Sequence, residues 1–130
     1  GLSARSAERL MTIYGARASA VVAEAKSDPT LLKVVHDDTG AIGAEMVFAM
    51  RHEFAASLAD VMARRTLLAF APGHGLESIG TIADVLARTF GWDGARRLAE
   101  IKGYEDWLSH LAVPGRPGIG GVTRRSGAAA

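Results

Sequence analysis

Cysteine is missing altogether from these 130 residues. That absence excludes disulfide staples and thiolate metal sites, and it fits a reducing compartment, so a cytoplasmic location is expected. An excess of charge of one sign is missing too. Fifteen Lys and Arg stand against fourteen Asp and Glu, for a net charge of +1. The total therefore gives no electrostatic reason to expect a nucleic acid partner. No apolar run approaches the roughly 18–20 residues needed to span a bilayer. The longest stretch free of Asp, Glu, Lys and Arg runs from Thr66 to Leu76 and is broken by Pro72, Gly73 and Gly75. Glu8 and Arg9 interrupt any apolar leader, so a secretory signal is not expected. β-branched residues are thin and never alternate with polar ones over a strand length, which argues against a sheet.

Alanine, leucine, methionine and arginine are abundant instead, and the reading is an all-α single domain, a small bundle of about five helices. Helical spacing predicts a first helix over Ser6–Tyr14, burying Leu10, Met11, Ile13 and Tyr14, and a second over Ala16–Lys26. Pro29 biases Asp28 away from helix and opens a short turn over Thr30–Val34. His36 to Gly40 reads as a loop. A long central element follows. Ile42, Met46, Val47, Met50, Phe54, Leu58, Val61 and Met62 form its apolar stripe. Ser57-Leu58-Ala59-Asp60 has the form of a capping box, so the element is expected to bend or restart there and to end near Arg65. Ala71 to Gly75 is a turn. A further helix covers Leu76–Thr89, Asp93 caps the next, and the last runs over Gly94–His110 with Leu98, Ile101, Tyr104, Leu108 and Leu111 inward. The helical domain is set at residues 1–112. Residues 113–130, rich in Gly, Pro and Ala, read as a flexible tail.

Few residues invite chemistry. His52-Glu53 begins an H-E-x-x-H zinc pattern, but position 56 is alanine, so the second imidazole one turn on is missing. His36, Asp37 and Asp38 lack the regular acidic spacing of a calcium loop and read as a polar connector. His74 between two glycines reads as a turn residue, and Trp92 and Trp107 as packing groups. Gly118-Ile119-Gly120-Gly121 has neither the strand nor the helix that a dinucleotide fingerprint requires. No metal, cofactor or catalytic residue is assigned to the chain. At 100° per residue Glu45, Phe48 and His52 share a face turned away from the apolar stripe. That face is either a second contact surface or a solvated back face with one exposed aromatic. Glu45, Phe48, Arg51, His52, Arg64 and Arg65 are the candidate residues for a domain or subunit interface.

The order of these residues carries a resemblance. Tyr14-Gly15 with Arg17, Asp28-Pro29 with Leu31-Leu32, Ala44 to Ala49, Arg51-His52-Glu53, Asp60-Val61 and Ala63-Arg64-Arg65-Thr66 make its core. Gly91-Trp92, Arg96-Arg97 and Glu100-Ile101 with Tyr104 extend it. Over roughly residues 7–108 the chain resembles the C-terminal helical, or cap, domain of FAD-dependent glycerol-3-phosphate dehydrogenases. Leu67 stands where that family tends to carry another basic residue, and Ala59 where an acidic one often precedes Asp60. The resemblance implies a parent enzyme that oxidises sn-glycerol 3-phosphate to dihydroxyacetone phosphate through FAD, with quinone or oxygen as acceptor. It implies that flavin and substrate lie in an N-terminal FAD-binding domain, on which this portion packs. It also implies a parent that can be peripheral at the inner face of the cytoplasmic membrane, and a possible homodimer. Gly1 in place of Met fits a piece of a longer chain. The competing expectation is a stand-alone helical interaction or dimerisation module without flavin chemistry.

Overall fold

A computed structural model describes residues 1–111, so the tail expected over 113–130 lies outside the described residues. Among the described residues the fold is helical apart from one small hairpin. The α-helices of six residues or more are α1 (Ala4–Tyr14), α2 (Ala18–Ala23), α3 (Gly43–His52), α5 (Ile79–Phe90) and α6 (Gly94–His110). A short α4 (Leu58–Asp60) widens into a π-turn at Val61–Arg65. Single 3₁₀ turns at Gly15–Arg17, Glu24–Lys26, Pro29–Leu32 and Leu68–Phe70 and a longer one at Pro72–Ser78 connect these elements.

Local chemistry explains most boundaries. The Ser3 hydroxyl accepts from Ser6 N–H and starts α1 two residues ahead of the expected start. Ser6, Leu10 and Tyr14, four residues apart, form the buried stripe of α1. Met11 and Ile13 fall on its flanks and are 63% and 40% exposed, contrary to the sequence expectation. Asp28 accepts from Thr30 N–H and sets up the turn that Pro29 opens. Asp93 accepts from Arg96 N–H at 2.7 Å and caps α6, which spans the expected residues. Gly91, at φ +73°, lets Trp92 N–H fold back to the Ala87 carbonyl and stop α5.

The segment read as a loop at His36–Gly40 is instead the turn of a hairpin between β1 (Val34–His36) and β2 (Ala41–Ile42). The strands are antiparallel, with Val34 opposite Ile42 and His36 opposite Ala41 across an irregular register. Strands of three and two residues are too short to leave a period-2 pattern in sequence. Helix α1 holds the hairpin turn in place. Ser6 Oγ donates to the Gly40 carbonyl at 2.7 Å and Arg5 to the Asp38 carbonyl at 2.7 Å. A side chain on Gly40, at φ +76°, would strike Arg5 Cγ at 2.7 Å.

Helix α3 runs through the middle of the core. It packs on α2, α5, the Pro29–Leu32 turn and the π-turn, while α4 and α5 pack on α6. Seven consecutive residues, Gly43 to Ala49, are buried. Ile42, Met46, Leu58, Met62, Leu68, Ile82 and Leu86 are wholly enclosed. Each such side chain contributes about 1.5–3 kcal/mol relative to exposure. The expected restart is present: Ser57 Oγ accepts from Asp60 N–H, and Glu100 of α6 accepts from Leu58 N–H at 2.8 Å. Two stripe assignments fail. Phe54 is 92% exposed because the helix has already ended at His52, and Leu98 is 63% exposed. On α6, Leu98 lies about 120° round the axis from Tyr104, which is fully buried.

Candidate docking site around the central helix

Glu45 is the third residue of α3, and its carboxylate reaches back to accept from Ile42 N–H at 3.0 Å. Ile42 holds the N-cap position but has no side-chain oxygen to return the bond, so only the glutamate half of a capping box operates. Both carboxylate oxygens also accept from Arg9 Nε of α1, at 3.0 and 3.1 Å, and Oε1 accepts from Tyr14 OH at 3.1 Å. The Arg9 guanidinium donates in addition to the Thr66 carbonyl at 3.1 Å. Thr66 in turn closes the π-turn, its hydroxyl donating to the Val61 carbonyl at 2.7 Å. Burial first, then the neighbouring Glu45 charge, pushes the Tyr14 phenol far above its ordinary range. Glu45 is fully buried and faces its own domain. The expectation that it lines an interface is therefore corrected.

The same correction applies to Phe48, which is 3% exposed. Tyr14 meets its ring edge-on at 6.0 Å, the His52 ring lies at 4.9 Å, and the Arg17 guanidinium sits over it at 4.9 Å. The 100° count placed Glu45, Phe48 and His52 on one face correctly. What it could not show is that α1 and the following turn cover that face.

Arg51 and His52 remain at the surface. Both hold Glu24, whose side chain is 7% exposed: Arg51 at 2.6 Å on Oε1 and His52 Nε2 at 2.9 Å on Oε2. Arg17 pairs with Glu53 Oε2 at 3.1 Å, while Glu53 Oε1 is buried without a hydrogen-bond partner. The next residue, Phe54, combines a left-handed backbone at φ +63° with 92% exposure. A bulky residue in that conformation costs on the order of 1 kcal/mol or more, and a projecting aromatic ring in water has no packing to offset it. Sequence reasoning missed this tip because Phe54 fitted the apolar stripe. Glu24, the anion behind Arg51 and His52, carried no sequence signal.

Arg64 lies at the surface near the far end of the same chain segment, 3.4 Å from Asp60 Oδ1 across one turn, and Arg65 is half-buried. Arg51, His52, Arg64 and Arg65 are thus the candidate interface residues that have surface to offer. Elsewhere, His74 is buried within a run of three left-handed residues, Gly73 to Gly75, and its carbonyl accepts from Tyr104 OH at 2.6 Å. It is a built-in turn residue, as expected. Trp107 stacks on Tyr104 at 6.0 Å and Trp92 lies under the Arg96 guanidinium at 4.7 Å, both in packing roles. An open groove of about 700 Å³ runs between the Pro29–Leu32 turn, β1 and α5, with Asp28 and Arg88 paired across it at 3.2 Å. No described helix is long and apolar enough to cross a membrane.

The family described as the C-terminal domain of alpha-glycerophosphate oxidase matches residues 1–97. "Glycerol-3-phosphate dehydrogenase 2" of Mycobacterium tuberculosis (strain ATCC 25618 / H37Rv) is 32% identical over 105 residues, 80% of this chain and 18% of its own. "Glycerol-3-phosphate dehydrogenase" of Synechocystis sp. is 28% identical over 114 residues, 87% of this chain and 21% of its own. "Glycerol-3-phosphate dehydrogenase, mitochondrial" of Schizosaccharomyces pombe is 28% identical over 91 residues, 69% of this chain and 14% of its own. No solved structure matches. The chain spans about a fifth or less of the length of these relatives. By the family match and the relatives together, the chain belongs to the C-terminal domains of the glycerol-3-phosphate oxidases and dehydrogenases.

Proposed function

We propose that this domain is the helical cap of an FAD-dependent glycerol-3-phosphate dehydrogenase and that it is catalytically silent by itself. In this reading the parent oxidises sn-glycerol 3-phosphate to dihydroxyacetone phosphate and passes the electrons to membrane quinone. FAD and substrate are held by the N-terminal FAD-binding domain, and the parent works at the inner face of the cytoplasmic membrane. The observation that carries the reading is the family match over residues 1–97, joined to relatives that are four to five times as long and carry dehydrogenase names. The side chains of the most distinctive motif support a structural role. Glu45, Arg9, Tyr14 and Thr66 are used up in holding α1, α3 and the π-turn together.

Docking on the N-terminal domain falls to the tip that α3 presents, with Phe54 as an apolar anchor and Arg51 and His52 beside it in sequence. An exposed aromatic with an arginine three residues away is the composition that interface centres favour. The reading is tested by preparing the chain alone and within its parent. The parent should be yellow and should reduce a dye with glycerol 3-phosphate, and the chain alone should be colourless and inert. A yellow, dye-reducing preparation of the chain alone would overturn the silent role. A parent without flavin would overturn the assignment.

A further inference from the structure

We propose that the hairpin turn and the residue facing it before α5 form a binding site for a divalent transition-metal ion, with Zn²⁺ or Mn²⁺ as the fitting ions. His36, Asp38 and Glu77 bring one imidazole nitrogen and two carboxylate oxygens within 4.8 Å of one another. The His36 ring is wholly buried, with Nε2 2.9 Å from Glu77 Oε2. Two neighbouring ligands of an octahedral ion with bonds of about 2.1 Å stand roughly 3.0 Å apart, so the His36–Glu77 pair has the spacing for coordination, with the Asp38 carboxylate within 4.8 Å of both to close on the ion.

The opposite ring nitrogen supplies an independent argument. His36 Nδ1 lies 2.9 Å from Thr39 Oγ1, which also accepts from Ala41 N–H at 3.3 Å. A hydroxyl can accept or donate, so it serves either imidazole tautomer. When Nε2 carries the proton, it donates to Glu77 and the Thr39 hydroxyl donates to Nδ1. When an ion takes Nε2, the neutral ring changes tautomer: Nε2 gives its proton to solvent, Nδ1 takes one from solvent, and Nδ1–H then donates to the Thr39 hydroxyl oxygen. Such an outer partner fixes ring orientation and raises ligand basicity in metal sites. The backbone at Asp38 is steadied by Arg5, which donates to its carbonyl.

Charge and access agree. Asp37 and Asp38 make no ion pair among the described residues, and Glu77 has His36 as its partner. An open cavity of about 470 Å³ lined by Asp37, Asp38, Glu77, Ser78 and Thr81 leads to the cluster. It leaves room for the waters that complete the coordination. One imidazole with two carboxylates suits borderline divalent ions; pure oxygen cages suit Ca²⁺.

The test is calorimetric titration of the chain with ZnCl₂ and with MnCl₂, beside Mn²⁺ line broadening of its backbone amide resonances. One site per chain is expected, with the amides of residues 36–39 and 77–78 broadening first. Asp38→Asn and Glu77→Gln change exposed groups, so both variants should keep their melting temperature in EDTA. Each should weaken binding by roughly tenfold or more. No binding at millimolar ion would overturn the site. So would binding that survives Glu77→Gln unchanged, which would place the ion elsewhere, for instance at His52 and Glu24.

Discussion

Replacing Glu45 by glutamine should unfold a large part of this domain's stability margin without changing its shape. The carboxylate is fully buried and serves three donors: Arg9, Tyr14 and Ile42 N–H. An amide keeps one acceptor oxygen and turns the other position into a donor. Whichever way it is flipped, an NH₂ group faces Arg9 Nε, which bonds both oxygens. With the amide oxygen at the Oε1 position, Ile42 N–H is orphaned as well, at a cost of about 1–3 kcal/mol. The Arg9 guanidinium, 10% exposed, also loses its counter-charge. Removing one partner of a buried pair costs about 3–5 kcal/mol, and that range covers the whole substitution. For a domain near this size it corresponds to a fall in melting temperature of roughly 12–20 °C. Urea unfolding followed by circular dichroism at 222 nm reads it directly, with the denaturant slope unchanged. The double variant Arg9→Met/Glu45→Gln sharpens the argument, because it removes the orphaned cation. It should be destabilised by about 1–3 kcal/mol less than the sum of the single variants. A Glu45→Gln domain within about 1 kcal/mol of wild type, or strictly additive variants, would refute the role given to this network.

Three other outcomes follow from the same fold. The chain has two tyrosines, and burial raises both Tyr14 and Tyr104 above the ordinary phenol range. A raised folded value means stability is whole below the unfolded value of about 10 and is lost as pH climbs past it. Phenolate absorbance at 295 nm should therefore appear only together with loss of helical circular dichroism; a tyrosine titrating near pH 10 in a folded chain would contradict the burial. Gly75→Ala should destabilise by about 1–3 kcal/mol in thermal melts. Its φ is +70° and the new Cβ would meet Met62 Cε at 2.5 Å, so a neutral result would mean that Met62 repacks freely. Phe54→Asn should leave the isolated domain as stable or more stable by up to about 1 kcal/mol, since asparagine tolerates the left-handed backbone. The same change should weaken docking in the parent, read as faster trypsin release of the domain; a destabilised isolated domain with undiminished docking would reject Phe54 as an anchor.

What the sequence made legible, and what it concealed, has one physical cause. Boundaries set by local chemistry could be read. Ser57 restarts a helix, Asp93 caps one and Gly91 ends one because each acts on backbone groups within a few residues. Burial could be read where a helix has one covered side, as in α5 with Ile82, Ala83 and Leu86 inward. Helix α3 breaks that rule. It is enclosed all round from Gly43 to Ala49, so its second buried face carries polar groups that only tertiary partners satisfy. A glutamate, a phenylalanine and a histidine on that face look in sequence like an exposed patch. In the fold, Arg9 neutralises the first and Tyr14 donates to it, Tyr14 and Arg17 roof the second, and Glu24 holds the third at the rim. Those partners lie 28 to 36 residues away, beyond any periodicity count. The Arg-His-Glu order, whose His-Glu pair first suggested a metal helix, is therefore mainly an assembly code that ties the end of α3 to the turns on either side of α2. The surplus left over after that code is satisfied, an orphaned Glu53 oxygen and a strained, projecting Phe54, is where contact with the rest of the parent is best sought.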